Sequence, residues 1–71
     1  MRIEYDREAD ALYIHLREVP VADTTDVEEG VMVDLDAEGH IVGVEILDAS
    51  KRLSPEELSK VAIENLLPAT A

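Results

Sequence analysis

The chain has no cysteine, tryptophan or phenylalanine, and its only aromatic residues are Tyr5 and Tyr13. Without cysteine, neither a disulfide nor a thiolate zinc site can stabilise the fold. The sequence has no apolar run of membrane-spanning length and no leader-like segment, so we expect a cytoplasmic protein. Small domains often depend on a disulfide, a metal or self-association. Self-association is the option that this composition leaves.

Basic residues are also scarce, because 6 Lys and Arg stand against 17 Asp and Glu, for a net charge of −11. Such a chain repels nucleic-acid phosphates and anionic lipid surfaces. We therefore expect neither nucleic acid nor membrane as a partner. The charge suits a basic protein partner, a divalent cation or solubility alone.

What the sequence does contain is a β pattern in a single domain of 71 residues. Period-2 alternation predicts strands over residues 2–5, 11–17, 31–35 and 40–47. A weaker alternation over 21–27, next to Pro20, suits an edge strand. The acidic segment 36–39 ends in Gly39 and predicts a hairpin loop between the last two strands.

The C-terminal segment changes to helical spacing. Ser54, Pro55 and Glu57 form a capping-box signature with proline at the first helical position. Before it, Asp48 is a candidate cap for a short helical turn. We predict an α+β fold in which an antiparallel meander of four to five short strands, within a core over 1–52, packs against one amphipathic helix over 53–68. The helix stripe consists of Leu58, Val61, Ala62 and Leu66.

One face of the predicted sheet is aliphatic and would meet this helix. The other face mixes apolar and polar side chains and could be solvated or pack against a second copy. Monomer and homodimer both stay open. The candidate interaction residues on this mixed face are Tyr13, His15, Met32, Ile41, Glu45 and Leu47.

The acidic hairpin resembles a calcium loop in its spacing, with Asp34, Asp36, Glu38, Gly39 and then Glu45. A calcium loop of this type lies between helices, whereas both flanks here have strand periodicity. We therefore favour a plain hairpin. A divalent-metal or small-ligand site in 34–45, using Asp34, Asp36 and Glu38, is the alternative.

Catalytic signatures are missing. His15 and His40 are the only side chains that ordinarily titrate near neutral pH, and neither has a nucleophile nearby in sequence. No glycine-rich phosphate loop is present, and no cofactor is indicated. We expect a non-enzymatic protein. A small hydrolase using Tyr13, His15 and Asp10 is a remote alternative.

Several motifs together resemble the domain of unknown function 2283 family of small prokaryotic proteins. They are Ile3-Glu4-Tyr5-Asp6, Glu8-Ala9-Asp10-Ala11-Leu12-Tyr13-Ile14, Gly30-Val31, Val33-Asp34, Asp36 with Gly39, and Val42-Gly43-Val44-Glu45-Ile46-Leu47-Asp48-Ala49-Ser50. The resemblance covers about residues 1 to 52. It implies that Asp34, Asp36, Gly39 and Glu45 belong to a hairpin pattern of this family and not to a calcium loop. It also implies an antitoxin-like role as one option, in which the acidic domain would mask a basic toxin. The sequence therefore predicts a protein-interaction module.

Overall fold

The fold is known from a computed structural model, which describes residues 1–64. It contains five strands followed by two short helices. The elements are β1 (Arg2–Asp6), β2 (Ala11–His15), β3 (Asp23–Glu28), β4 (Val31–Leu35), β5 (Ile41–Leu47), α1 (Ala49–Arg52) and α2 (Pro55–Ser59). The predicted α+β architecture with an antiparallel sheet is confirmed.

The strands form one antiparallel sheet in the order β1-β2-β5-β4-β3. Three hairpins join consecutive strands, but β2 pairs with β5 because residues 16–22 carry the chain from β2 to the opposite edge. This crossing begins where the backbone N–H groups of Leu16 and Arg17 both donate to the carbonyl of Val42, at 2.8 and 3.1 Å. Strand β2 therefore ends at His15, two residues before its predicted end.

The predicted hairpin between β4 and β5 is confirmed. Within its loop, Asp36 accepts hydrogen bonds from the N–H groups of Glu38 and His40, both at 2.9 Å. Gly39 has a φ of +84°, the left-handed conformation that glycine adopts without strain. The acidic segment is thus a turn stabilised by its own carboxylate, which is the usual role of Asp in turns.

Helix α1 joins the two hairpin turns at the other end of the sheet. The N–H of Ala49 donates to the carbonyl of Asp10 at 3.0 Å, in the β1–β2 turn. On the other side, Arg52 donates to the carbonyl of Glu29 and pairs with Glu28 at 3.3 Å, where β3 turns into β4. Helix α1 therefore lies at the end of the sheet.

The predicted capping box at Ser54 is confirmed, with the Glu57 N–H donating to the serine hydroxyl and the Ser54 N–H donating to the Glu57 carboxylate. The predicted helix over 53–68 is wrong in extent, because α2 ends at Ser59 and Lys60 is extended. Val61 is 61% exposed and Ile63 80% exposed. Short helices need packing of an apolar face to persist, and Val61 and Ala62 of the predicted stripe are both exposed. Leu66 lies outside the described residues.

The interior is small. Among the described residues, the buried apolar side chains are Val42 and Ala49, and no large side chain is fully buried. The buried polar residue is Asp34, which is 8% exposed. The sheet is therefore a single layer whose two faces have different chemistry.

Candidate functional site

The polar face of the sheet carries the residues with the strongest chemistry. Antiparallel register places Tyr13 beside Glu45, Glu45 beside Met32, and Asp34 beside Gly43. We define the polar face by the side chains that share this side of the five-stranded sheet: Glu4, Tyr13, His15, Thr24, Met32, Asp34, Glu45 and Leu47.

A hydrogen-bonded network at its centre joins three strands. The hydroxyl of Tyr13 on β2 donates to one carboxylate oxygen of Asp34 on β4. The hydroxyl of Thr24 on β3 donates to the other oxygen at 2.7 Å. Both oxygens of this buried carboxylate are thus satisfied within the protein, as burial of a polar group requires.

Gly43 makes this network sterically feasible. Tyr13 reaches across β5 above Gly43, and a Cβ at that position would lie 2.7 Å from the tyrosine oxygen and 2.9 Å from the Ile14 carbonyl oxygen. A glycine inside a strand often marks such a close approach. Sequence reasoning placed Gly43 in the strand but missed this contact, although the isolated strand glycine was the signal that could have revealed it.

The network keeps the tyrosine protonated. The hydrogen bond to Asp34, aided by burial and by the negative charges of Asp34 and Glu45, raises the pKa of Tyr13 to about 12. A hydroxyl with this pKa stays neutral near pH 7, so Tyr13 is positioned as a hydrogen-bond donor and not as a base.

His15 belongs to a second cluster on the same face. Its Nε2 lies 2.6 Å from a carboxylate oxygen of Glu4 and 3.5 Å from the guanidinium of Arg2. Its ring also packs on Tyr13, with 4.2 Å between ring centroids. The histidine is therefore flanked by a carboxylate and an aromatic ring, and no hydroxyl nucleophile is within hydrogen-bond distance of it in the described chain.

The three carboxylates predicted as weak metal ligands do not come together. Asp34 is held by Tyr13 and Thr24 on the polar face, while Asp36 accepts from Arg17 at 3.0 Å in the hairpin loop. Glu38 is exposed, with His40 at 3.9 Å. Across residues 1–64, no group of three or more potential ligands could hold a metal ion.

Asp10 has a structural role apart from Tyr13 and His15. It accepts from the hydroxyl of Tyr5 at 2.6 Å and from the hydroxyl and N–H of Ser50 at 2.7 and 3.0 Å. The hydrogen bond from the Ser50 hydroxyl has the largest effect on the pKa of Asp10, and the hydrogen bond from Tyr5 has the next largest. Both lower this pKa below its ordinary value. Asp10 thus caps α1 from a distant turn, whereas Asp48, the predicted cap, makes no side-chain capping bond.

The three residues of the remote hydrolase hypothesis therefore separate into two clusters. Tyr13 and His15 lie together on the polar face, whereas Asp10 lies with Tyr5 and Ser50. A cleft of about 480 Å³ lies between β1 and α2, lined by Tyr5, Arg7, Ser50, Pro55, Leu58 and Ser59. Neither Tyr13 nor His15 lines it.

The remaining interaction-face candidates occupy different settings. Met32 and Glu45 are half-buried at the centre of the polar face, and Leu47 is 37% exposed opposite Ala11. Ile41 is exposed and pairs with Leu35 beyond a register shift, near the hairpin loop.

Strand β3 forms an acidic edge, which we define as Asp23, Asp26, Glu28 and Glu29 together with the β3 backbone. All six residues of β3 are exposed, and its strand partner is β4 alone. Within the described residues, Glu28 is the member of this set that forms an ion pair, with Arg52. The edge thus combines unpaired strand backbone with exposed negative charge.

These features define an α+β domain built on an open, single-layer antiparallel sheet with a satisfied polar network on one face. The chain matches the family "Protein of unknown function (DUF2283)" over residues 2–50 and belongs to that family.

One relative is the uncharacterized protein MJ0789 of Methanocaldococcus jannaschii, which is 37% identical over 51 residues. The match covers 72% of this chain and 43% of the archaeal protein, so the chain spans less than half the length of that relative. No solved structure matches the chain. In residues 1–64, no helix is long and apolar enough to cross a membrane.

Proposed function

We propose that this chain is a non-enzymatic protein-interaction module whose acidic edge binds a basic extended segment of a partner protein. The observation that carries the proposal is the exposure of all six residues of β3 at the edge of the sheet. One side of an edge strand has free N–H and C=O groups, which can pair with an added strand. Such strand addition is a recurrent mode of peptide recognition.

Charge selects which strand can be added. Proteins commonly protect edge strands with charge, and β3 carries Asp23, Asp26 and Glu28 without any Lys or Arg. Two copies of this edge would repel each other. A strand with Lys or Arg on both of its faces would instead pair with these carboxylates while its backbone extends the sheet, because Asp23 and Asp26 project from opposite faces of β3.

The net charge of −11 supports the same partner class, because it steers a basic protein toward the domain and speeds association at low salt. The satisfied state of Asp34 and the protonated state of Tyr13 favour a scaffold role for the polar face over acid–base chemistry.

An antitoxin-like role is the narrower form of the proposal. Its partner would be a basic, RNA-binding toxin in the cytoplasm, whose nucleic-acid surface the acidic edge would cover. The contact would then compete directly with RNA, since both ligands would use the same Lys and Arg side chains.

Affinity capture with charge-reversal variants tests the proposal. The bait is the wild-type chain, a double variant Asp23→Lys/Asp26→Lys, or a control Glu8→Lys/Glu56→Lys that changes the net charge equally on exposed sites away from β3. We expect a stoichiometric basic protein to elute with salt from the wild type and the control and to be lost from the β3 variant.

Capture of no stoichiometric protein would contradict the proposal. Equal loss from both variants would also contradict it, because the interaction would then depend on total charge and not on the edge.

A further inference from the structure

The part of strand β3 with regular strand geometry is short. Its register with β4 runs without interruption from Asp23, opposite Leu35, to Asp26, opposite Met32. A β-bulge follows between Asp26 and Glu28. A bulge bends its strand and disrupts the hydrogen-bonded ladder, and proteins use bulges to protect sheet edges. An added strand can therefore follow β3 as far as Asp26 and not beyond it.

The connection from β2 limits the other end of this regular part. The N–H of Ala22 donates to the carbonyl of Leu35 at 2.8 Å, so it points toward β4 and away from an added strand. Two residues earlier, Pro20 has no N–H to donate. The backbone that can accept a strand is thus that of residues 23–26, which we call the accepting segment.

Two carboxylates of the acidic edge lie outside the accepting segment and have basic neighbours. Arg52 pairs with Glu28 at 3.3 Å and donates to the backbone carbonyl of Glu29. Lys51 and Arg52 also line the same surface cleft as both glutamates. A basic side chain of a partner would meet these positive charges there, and like charges repel. The two aspartates of the accepting segment form no ion pair within residues 1–64 and are left to select the partner.

These two aspartates project from opposite faces of the sheet. Thr24 lies on the polar face, where its hydroxyl donates to Asp34 at 2.7 Å. Side chains alternate along a strand, so Asp26 shares that face and Asp23 projects from the other. An added strand therefore meets one carboxylate on each side of the sheet.

We infer that the segment bound at this edge carries two basic residues at a spacing of three: Lys or Arg, then two other residues, then Lys or Arg. The residues directly opposite Asp23 and Asp26 on an added strand are three positions apart in either strand direction and project from opposite faces. Basic residues at a spacing of two project from one face and reach one carboxylate alone. The inference rests on the proposed function, since it specifies which strand the acidic edge selects.

Threonine fits the middle positions of the bound segment. Thr24 and Thr25 lie between the aspartates and are exposed. Pairs of threonines and pairs of opposite charges across two strands each stabilise a sheet by an amount that changes affinity up to about fivefold. Each pair is weak, so the spacing determines which basic strand binds and not how tightly the whole partner is held.

Two isomeric peptides test the spacing. One is acetyl-Thr-Lys-Thr-Thr-Lys-Thr-amide; the other, acetyl-Thr-Lys-Thr-Lys-Thr-Thr-amide, has the same composition with the lysines at a spacing of two. Each is titrated into the isotope-labelled full chain at low salt, and the shifts of the backbone N–H signals of residues 23–26 give the dissociation constant. We expect the first peptide to bind about threefold more tightly, because it forms one more charge pair.

Neutral variants of the chain identify the carboxylates that are used. Asp23→Asn and Asp26→Asn each remove one charge but keep a side-chain oxygen, which at Asp23 accepts from the N–H of Thr24 at 2.9 Å. Glu28→Gln and Glu29→Gln are the matched controls, with the same change in net charge. We expect each Asn variant to weaken binding of the first peptide about threefold and each Gln variant to change it by less than about 1.5-fold.

The possible failures are distinguishable. Equal binding of the two peptides, or an equal loss in the Asn and Gln variants, would overturn the inference and leave the proposed function standing, because the edge would then bind basic strands without a preferred spacing. If neither peptide shifts the N–H signals of residues 23–26, the edge does not accept a basic strand, and the proposed function fails together with the inference.

Discussion

Tyr13 on β2 donates its hydroxyl to Asp34 on β4 by passing over Gly43 on the intervening strand β5. The pair is 21 residues apart in sequence and connects two strands that share no backbone hydrogen bonds. It fixes the side-chain layer of the polar face and explains why a strand interior contains a glycine. The hydroxyl, the carboxylate and the glycine therefore act as one structural unit.

Gly43→Ala tests this unit by adding the Cβ for which the structure has no room. Two of the three nearest atoms belong to Tyr13 and one to the backbone of Ile14, so either the ring or the strand must move. We expect a loss of about 1–3 kcal/mol in the free energy of unfolding, measured by urea denaturation.

Combining Gly43→Ala with Tyr13→Ala supplies the control, because the second substitution removes the tyrosine contacts. The combined loss should be smaller than the sum of the single losses. Strict additivity would show that Tyr13 is not the obstacle.

Alkaline titration tests the protonation state of Tyr13. Its pKa rises from the ordinary 10.0 to about 12 in the folded chain, so the unfolded state loses its proton first as the pH increases. The stabilisation from this group is therefore complete below pH 10 and is lost as the pH rises through 12. The pKa of Tyr5 is also raised, chiefly by its hydrogen bond to Asp10.

With no tryptophan and two tyrosines in the chain, tyrosinate absorbance reports these groups directly. We expect Tyr13 to stay protonated at pH 10 in the folded protein, and Tyr13→Phe should remove the component that titrates last. If Tyr13→Phe instead removes a component that is already half-ionised at pH 10, the network is contradicted.

Acid unfolding tests the attachment of α1 to the sheet. Hydrogen bonds from Ser50 and then Tyr5 lower the pKa of Asp10 below its ordinary 3.8. A depressed folded pKa gives stability that is present above the unfolded value and is lost as the pH falls through the folded value. Ser50→Ala should therefore make the protein less stable than the wild type above pH 3.8. The difference in stability between the two proteins should become smaller at lower pH.

The measurement is the midpoint of thermal unfolding of both proteins from neutral to strongly acidic pH. Comparing the two removes the general effect of protonating the many other carboxylates. Ser59→Ala, at the end of α2, is the control. Its unfolding midpoint should differ from that of the wild type by an amount that does not depend on pH in this range. A pH-independent difference for Ser50→Ala would refute the role of Asp10.

The features that could be predicted from the sequence are those that depend on residues close together in the chain. The turn around Asp36 and Gly39 and the capping box at Ser54 and Glu57 are set by bonds that span four residues or fewer. Local patterns of this kind can be recognised from the order of residues alone.

Features that depend on the pairing of distant strands were not predicted. The Tyr13–Asp34 bond requires the β2–β5 register, and the capping of α1 by Asp10 spans 40 residues. The length of the last helix was overestimated because its apolar spacing is helical, whereas helix formation also requires a surface to pack on. Helix α2 ends at Ser59, and residues 60–64 are exposed and not helical.

The most direct test of the central claim, that the acidic edge at β3 binds a basic segment of a partner protein, is affinity capture with the wild type, the Asp23→Lys/Asp26→Lys variant and the Glu8→Lys/Glu56→Lys control. We predict that a stoichiometric basic protein elutes with salt from the wild type and the control and is lost from the β3 variant. Capture of no stoichiometric protein, or equal loss from both variants, would contradict the claim.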